Sequence, residues 1–250
     1  MNQSTFYFFA ELNDFLPLHR KQVCFEVQYE GSPSVKHLIE ALGVPHPEVS
    51  QILANGEAVD FTYPVQNEDR ILVYPASMAD QNTRLISCYM LPNEEPRFVI
   101  DNHLGRLAAY LRMLGFDALY RNDFQDDELA QVASQDSRTL LTRDRHLLMR
   151  SAVKFGYCIR HLEPRQQLFE VVRHFDLVEK IRPFQRCLRC NSPLQKVSKE
   201  EVWERLEPLT RQYYDEFHLC PACQQVYWKG SHYQRMQSLL DQVIRSAHPG

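Results

Sequence analysis

The 250-residue chain contains no run approaching the roughly 18 consecutive apolar residues that a membrane-spanning helix needs, which excludes a membrane protein. Met1–Leu12 has no basic stretch ahead of the short apolar segment Phe6–Ala10, so it does not read as a secretory signal. There is no internal repeat and no low-complexity tract. An even disulfide framework is also missing, because the cysteines number seven. With 44% apolar and 24% charged residues, the composition is that of a chain with real cores rather than a disordered one. A cytoplasmic, multidomain protein with no membrane partner is expected.

The net charge of −4 conceals a split. Residues 1–80 hold 4 Lys/Arg and 11 Asp/Glu, residues 81–180 hold 14 of each, and residues 181–250 hold 10 Lys/Arg and 7 Asp/Glu. An acidic module followed by a neutral and then a basic one argues for separate units. The basic end suits a polyanion, and the acidic end would repel one.

Along the first 75 residues, Thr5–Ala10 and Val23–Tyr29 read as strands. Ser34 is a good N-cap for a helix carrying Val35, Leu38, Ile39 and Leu42, which Gly43 ends. Asn55-Gly56 marks a tight turn, and Arg70–Tyr74 is a last strand. This order resembles the ubiquitin-like β-grasp fold, and within it the small sulfur carriers, over residues 4–75. The resemblance rests on "VKHLIEALGVPHPEV", "LANGEAV" and "EDRILVYP". Sulfur carriers end in Gly-Gly, whereas here the chain continues through Pro75-Ala76-Ser77-Met78, which weakens a carrier role. Residues 79–96 are polar, with Pro92 and Pro96, and read as a linker with a short ordered piece at Arg84–Met90.

From Arg97 the pattern becomes strand alternating with helix. Phe98–Ile100, Ala118–Tyr120, Thr139–Thr142 and Tyr157–Ile159 are strand candidates, with helices between them and a closing helix at Gln166–Phe175. This is the signature of an α/β unit with a parallel sheet. Ligands of such sheets bind where strands end and helices begin. Asp101 follows the first strand, Asp126 opens the helix between the second and third, and Asp144 follows the third. Three carboxylates on one rim would repel one another without a cation. Hard oxygen ligands suit Mg²⁺ or Mn²⁺. Each acid also has a plainer reading, Asp126 and Asp144 as helix caps, with Asp127 competing for the second role. Arg106, Arg112 and Arg143 lie close by in sequence and are expected to meet substrate phosphates, or else to be solvated surface charges. Gly105 would allow close backbone approach by substrate, or is simply a tolerated small residue.

Cys187-x-x-Cys190 and Cys220-x-x-Cys223 are separated by 29 residues. Two such pairs can wrap a tetrahedral ion, and four thiolates favour a structural Zn²⁺. The long spacing requires an inserted loop or helix around Glu200–Leu206. Cys24, Cys88 and Cys158 read as small buried hydrophobes. Val226–Tyr233 interleaves aromatic residues with Lys229 and is followed by Arg235, a pattern that suits either single-stranded RNA or a small ribbon core.

Three blocks, "RFVIDNHLGRLAAYLRMLGFDALY", "DDELAQVASQDSRTLLTRDRHLL" and "RCLRCNSPL…CPACQQVYWKGSHYQRM", together resemble the Mut-seven C-terminal ribonuclease family. The resemblance implies a PIN-like α/β nuclease domain at 97–180 and a zinc ribbon with tail at 181–250, preceded by the ubiquitin-like domain at 1–78 and the linker at 79–96. It implies a metal-dependent ribonuclease whose acids fall on Asp101, Asp126 and Asp144, with Leu129 in the apolar slot of the second motif. RNA is then the partner, together with a protein partner for the acidic N-terminal module. The competing expectation is a non-catalytic RNA- or ribosome-binding adaptor that keeps the fold and the zinc.

Overall fold

The computed structural model describes residues 1–78 and 95–247. The ordered piece expected at Arg84–Met90, and Cys88 with it, lie outside the described residues. The chain forms two compact units that interleave along the sequence: Met1–Glu94 with Gln125–Cys158, and Glu95–Phe124 with Ile159–Gly250.

The first unit contains a five-stranded sheet in the order β2-β1-β5-β3-β4. The strands are β1 (Asn2–Phe8), β2 (Phe25–Tyr29), β3 (Gln51–Ala54), β4 (Glu57–Val59) and β5 (Arg70–Tyr74). The central pair β1–β5 is parallel, and β1–β2, β3–β5 and β3–β4 are antiparallel. Period-two alternation puts Phe6 and Phe8 of β1, Ile52 of β3, and Ile71 and Val73 of β5 in the core. Helix α1 (Val35–Ala41) covers it with Val35, Leu38 and Ile39, and the Ser34 side chain accepts a hydrogen bond from the His37 amide as an N-cap. Gly43 ends this helical segment at φ +93°, a conformation open to glycine. The Asn55-Gly56 turn is tied down by Asp69, which accepts from Asn55 Nδ2, the Gln66 amide and the Tyr63 hydroxyl. This is the β-grasp arrangement expected from the sequence. The first strand starts and ends earlier than the apolar pattern suggests, because Phe9 to Phe15 turn into a 3₁₀ segment.

The same unit holds α3 (Asp126–Gln135), β8 (Thr139–Thr142), α4 (Arg145–Leu148) and β9 (Gly156–Cys158). Strands β8 and β9 pair in parallel, and all four residues of β8 are buried, as its apolar run requires. Three polar links fasten this segment to the β-grasp module. Glu48, fully buried, accepts a 2.6 Å hydrogen bond from the Cys158 amide. His46 bridges Glu40 and the Val153 carbonyl at 2.7 Å each. Arg145 donates to the Phe15 carbonyl and lies over its ring. Residues 125–158 thus belong to the same compact unit as the N-terminal module.

The second unit is built on β6 (Arg97–Ile100) and β7 (Asp117–Tyr120), again a parallel pair. Helix α2 (Gly105–Met113) buries Leu107, Ala108 and Leu111, and α5 (Pro164–His174) packs against it. Helix α8 (Ser231–Ala247) packs in turn on α5. A three-stranded antiparallel ribbon, β10 (Gln195–Val197), β11 (Phe217–Leu219) and β12 (Val226–Trp228), completes the unit. Its small core is Val202, Leu206, Phe217 and Val226. The long cysteine spacing is filled by α6 (Lys199–Val202), a 3₁₀ turn and α7 (Pro208–Tyr213), as expected from the spacing. Ser198 and Glu201 form a capping box that starts α6. Among the described residues, no helix is long and apolar enough to cross a membrane.

His174 ends α5 and is partly buried. Burial, and after it the charge of Arg160, pull its pKa down from the ordinary 6.5 to about 3. The folded ring therefore stays neutral where the unfolded ring takes a proton. Stability is intact above pH 6.5 and is lost as the pH falls toward 3. At about 1.4 kcal/mol per pH unit, reduced because the ring keeps some solvent contact, the loss should reach about 2–4 kcal/mol. Denaturant titrations at pH 7 and pH 4 should show this loss in the parent and a shallower one in His174→Gln; equal slopes would refute the assignment.

Candidate functional site

Asp144 follows β8 and N-caps α4. Its Oδ1 accepts from the amides of His146 (2.8 Å) and Leu147 (3.4 Å), while its own amide donates to Thr142 Oγ1 at 2.9 Å. Its side chain remains 45% exposed, so oxygen lone pairs face solvent. Asp126 is the first residue of α3, with Arg150 Nη2 at 3.8 Å, and Asp127 pairs with the same guanidinium. Asp101 comes directly after β6 and opens a 3₁₀ turn, Asn102–Leu104. At 8% exposure it is the buried member of the three.

Asn102 is a residue that pattern reading passed over. Its Oδ1 is buried with no hydrogen-bond partner. Its carbonyl accepts from the Tyr120 hydroxyl at 3.0 Å. The same tyrosine explains Gly105: a Cβ there would stand 2.7 Å from the Tyr120 hydroxyl oxygen, so the glycine makes room for a neighbouring ring rather than for substrate. No sequence signal marks Asn102, since an asparagine after a strand is ordinary turn chemistry.

Of the three arginines, Arg106 and Arg143 are exposed. Arg112 is not placed for substrate. It is 3% exposed, its Nε donates to the Ala118 carbonyl, and its Nη1 donates to the carbonyls of Leu188 and Arg189. Desolvation lowers its pKa, partly offset by Cys187 and Cys190. The expectation of a phosphate contact is corrected: Arg112 lies on the buried side of α2 and braces the first cysteine knuckle against β7. Asn191 adds to that brace, accepting from the Ala118 amide and donating to Asp117.

The four cysteines converge. Cys187 and Cys223 sulfurs lie 3.5 Å apart, Cys190 and Cys220 sulfurs 3.3 Å apart, and all four fall within 4.8 Å of one another. A tetrahedral ion with metal–sulfur bonds of about 2.3 Å sets its sulfurs about 3.8 Å apart, so the donor set fits. Both knuckles have the same build. The Asn191 amide bonds to the Cys187 carbonyl and the Gln224 amide to the Cys220 carbonyl, and Asn191 and Gln224 both take positive φ. Burial and contact with the other sulfurs push the Cys223 thiol up to about 12. Burial pushes the Cys190 thiol up, but hydrogen bonds with Ser192, Cys220 and Cys223 together outweigh it and hold the thiol down to about 6. Four thiols this close ionise together only around a cation. Tyr227 stands behind them, its hydroxyl 3.2 Å from Cys187 Sγ and accepting from the Leu188 amide. Among the described residues, this is the one group of three or more Cys, His, Asp or Glu side chains gathered so closely, and no aspartate belongs to such a group.

Residues 96–240 match the family model of the Mut7-C RNAse domain, which is more than half of the chain. The chain belongs to the Mut7-C ribonuclease family. Residues 1–81 match the companion model, Mut7-C ubiquitin. A human relative, "Exonuclease mut-7 homolog", is 36% identical over 107 residues, which cover 40% of this chain and 12% of that protein. The chain thus corresponds to a small part of that relative. Two structures of the small archaeal modifier protein 1 of Haloferax volcanii align with TM-scores of 0.25. They show 19% and 18% identity, covering 30% and 32% of this chain and 98% and 100% of theirs.

Proposed function

We propose that the protein is a metal-dependent ribonuclease with Asp101, Asp126 and Asp144 as its acidic residues and RNA as its substrate. The observation that carries this reading is the ribonuclease family match over 96–240, in which Asp101 and Asp144 follow the buried strands β6 and β8. Asp101 is followed in sequence by Asn102, whose buried Oδ1 has no hydrogen-bond partner, and carboxylate and amide oxygens are the hard ligands that Mg²⁺ or Mn²⁺ takes. When bound, such an ion supplies a water that ionises near neutral pH and offsets charge on the leaving oxygen. The chain's own residues do the rest. Asp144 is held by the two amides of α4, so its free oxygen keeps one orientation. Arg150 holds Asp126 and Asp127 at the start of α3. Arg106 and Arg143, both solvent-facing, are the arginines left to bind phosphate.

Zinc is the proposed occupant of the four-cysteine site. With all four positions taken by sulfur, no place remains for substrate, so this ion holds the ribbon together. The acidic β-grasp module is proposed to meet a protein partner, since its charge disfavours RNA.

The test is cleavage of single-stranded RNA titrated with Mn²⁺. Asp144→Asn should lower the rate by about 100-fold or more while RNA affinity changes little. Unchanged cleavage in this variant would remove Asp144 from the mechanism. Salt-sensitive RNA binding with no metal-dependent cleavage by the parent protein would instead establish the adaptor.

A further inference from the structure

One concavity of the second unit lies beside the cysteine cluster, sharing Leu188 and Tyr227 with its surroundings, and none of the three acidic residues lines it. It encloses about 300 Å³ beside the ribbon and is walled by Phe184, Tyr227, Trp228 and Tyr233. Small-ligand sites begin at about this size, ~300 Å³. Its rim carries an acceptor and a donor side by side, Glu216 and Lys229, paired at 2.6 Å.

The rings are held rather than loosely collected. The Tyr227 hydroxyl is fixed by the Leu188 amide and Cys187. Phe184 and Tyr233 lie with centroids 4.4 Å apart, their planes inclined by 38°. Phe184 adopts φ +60°, and its amide is pinned to the Met113 carbonyl at 2.9 Å. A bulky side chain enters this left-handed region only when its surroundings impose it, and such strain gathers at binding sites. Trp228 folds across Gly230, where a Cβ would come within 2.8 Å of its indole nitrogen, and the indole is still 38% exposed. Preset aromatic faces around a small opening, with a carboxylate and an ammonium at the edge, match a flat heterocycle that has both hydrogen-bond donors and acceptors.

We infer that this cavity receives one unpaired nucleobase of single-stranded RNA, stacked on the rings and hydrogen-bonded at its edge by Glu216 and Lys229. This deepens the ribonuclease reading and rests on it for the identity of the polymer. Single-stranded RNA is recognised through bases splayed out onto aromatic side chains, which duplexes do not offer. The surrounding region, residues 181–250, carries 10 Lys/Arg against 7 Asp/Glu and so favours the phosphates on either side of the captured base.

The full chain carrying Asp144→Asn, in buffer without Mg²⁺ or Mn²⁺ so that the probe is not consumed, is titrated with a short single-stranded RNA of mixed sequence and with the corresponding duplex. Trp228→Ala and Tyr233→Ala should each weaken single-strand binding by roughly 5- to 100-fold, the worth of one base stack. The salt dependence should be unchanged, because no phosphate contact is removed. Tyr233→Phe should bind like the parent. Zinc content equal to the parent's shows that the ribbon has kept its fold. A second measurement leaves the wall intact: the chain has two tryptophans, so Trp203→Phe makes Trp228 the sole reporter. Its emission should be quenched by the single strand and not by the duplex. Parent-like affinity in both alanine variants, or an unquenched Trp228 in the bound complex, would overturn the pocket. If the parent binds and cleaves RNA while the ring variants are silent, the pocket alone is wrong. If the parent binds no RNA, the ribonuclease reading falls first.

Discussion

Replacing Cys220 by serine is expected to unfold the ribbon. Cys220 and Cys187 are both fully buried, and each knuckle closes its backbone turn around its own first cysteine. The apolar core beneath them consists of four buried residues, too few to hold strands and short helices against chain entropy. A structural zinc contributes about 10–16 kcal/mol of apparent binding free energy, as much as the ~5–15 kcal/mol that stabilises a whole domain. Losing one sulfur should therefore abolish stoichiometric metal and expose residues 187–228, and chelation of the parent should do the same. Metal analysis with hydrogen exchange across β10, β11 and β12 measures both. Retained exchange protection in the metal-free variant would show that the core suffices alone.

Gly115→Ala should be the most damaging single methyl in the second unit. Gly115 sits at φ +99°, and a Cβ there would lie 2.0 Å from the Arg182 carbonyl oxygen. The obstacle is backbone and is itself tied down. The Arg182 amide bonds to Leu114 and the Phe184 amide to Met113, each at 2.9 Å, and Arg186 Nε donates to the Gly115 carbonyl. Left-handed strain for a non-glycine residue costs about 1–3 kcal/mol, and displaced backbone hydrogen bonds add about 1 kcal/mol apiece. A loss of about 3–5 kcal/mol is expected in denaturant titration. A loss under about 1 kcal/mol would mean that the crossing segment relaxes freely. Because that segment leads into Phe184, the same substitution should also disturb the aromatic cavity.

How much of this was legible beforehand depended on the range of the interaction. Caps, turns and knuckles were readable because they act within a few residues: Ser34 before α1, Gly43 after it, and the paired cysteines. The closing strand β9 and the four-residue β8 were readable from their apolar runs. Arg112 is not legible in this way because its partners, Leu188 and Arg189, are carbonyls of residues remote in sequence, and carbonyls leave no mark in a side-chain pattern. Gly105 is undecided by sequence for a related reason, since it is Tyr120, fifteen residues on, that fills the space it leaves. Glu48 carries no local signal either: it is buried as the acceptor for an amide 110 residues away, that of Cys158.

From the order of residues alone came the alternation of strand and helix, the acidic β-grasp module, the three aspartates at strand and helix ends, and the four-sulfur donor set. All of these depend on short-range periodicity, capping and ligand spacing, which are written locally. Tertiary structure alone decided that residues 125–158 fasten to the N-terminal module, that Arg112 braces a knuckle, and that four aromatic rings enclose a cavity. Each of these is a contact across long sequence separation, set by which buried polar groups find partners and which rings find space once the chain has closed.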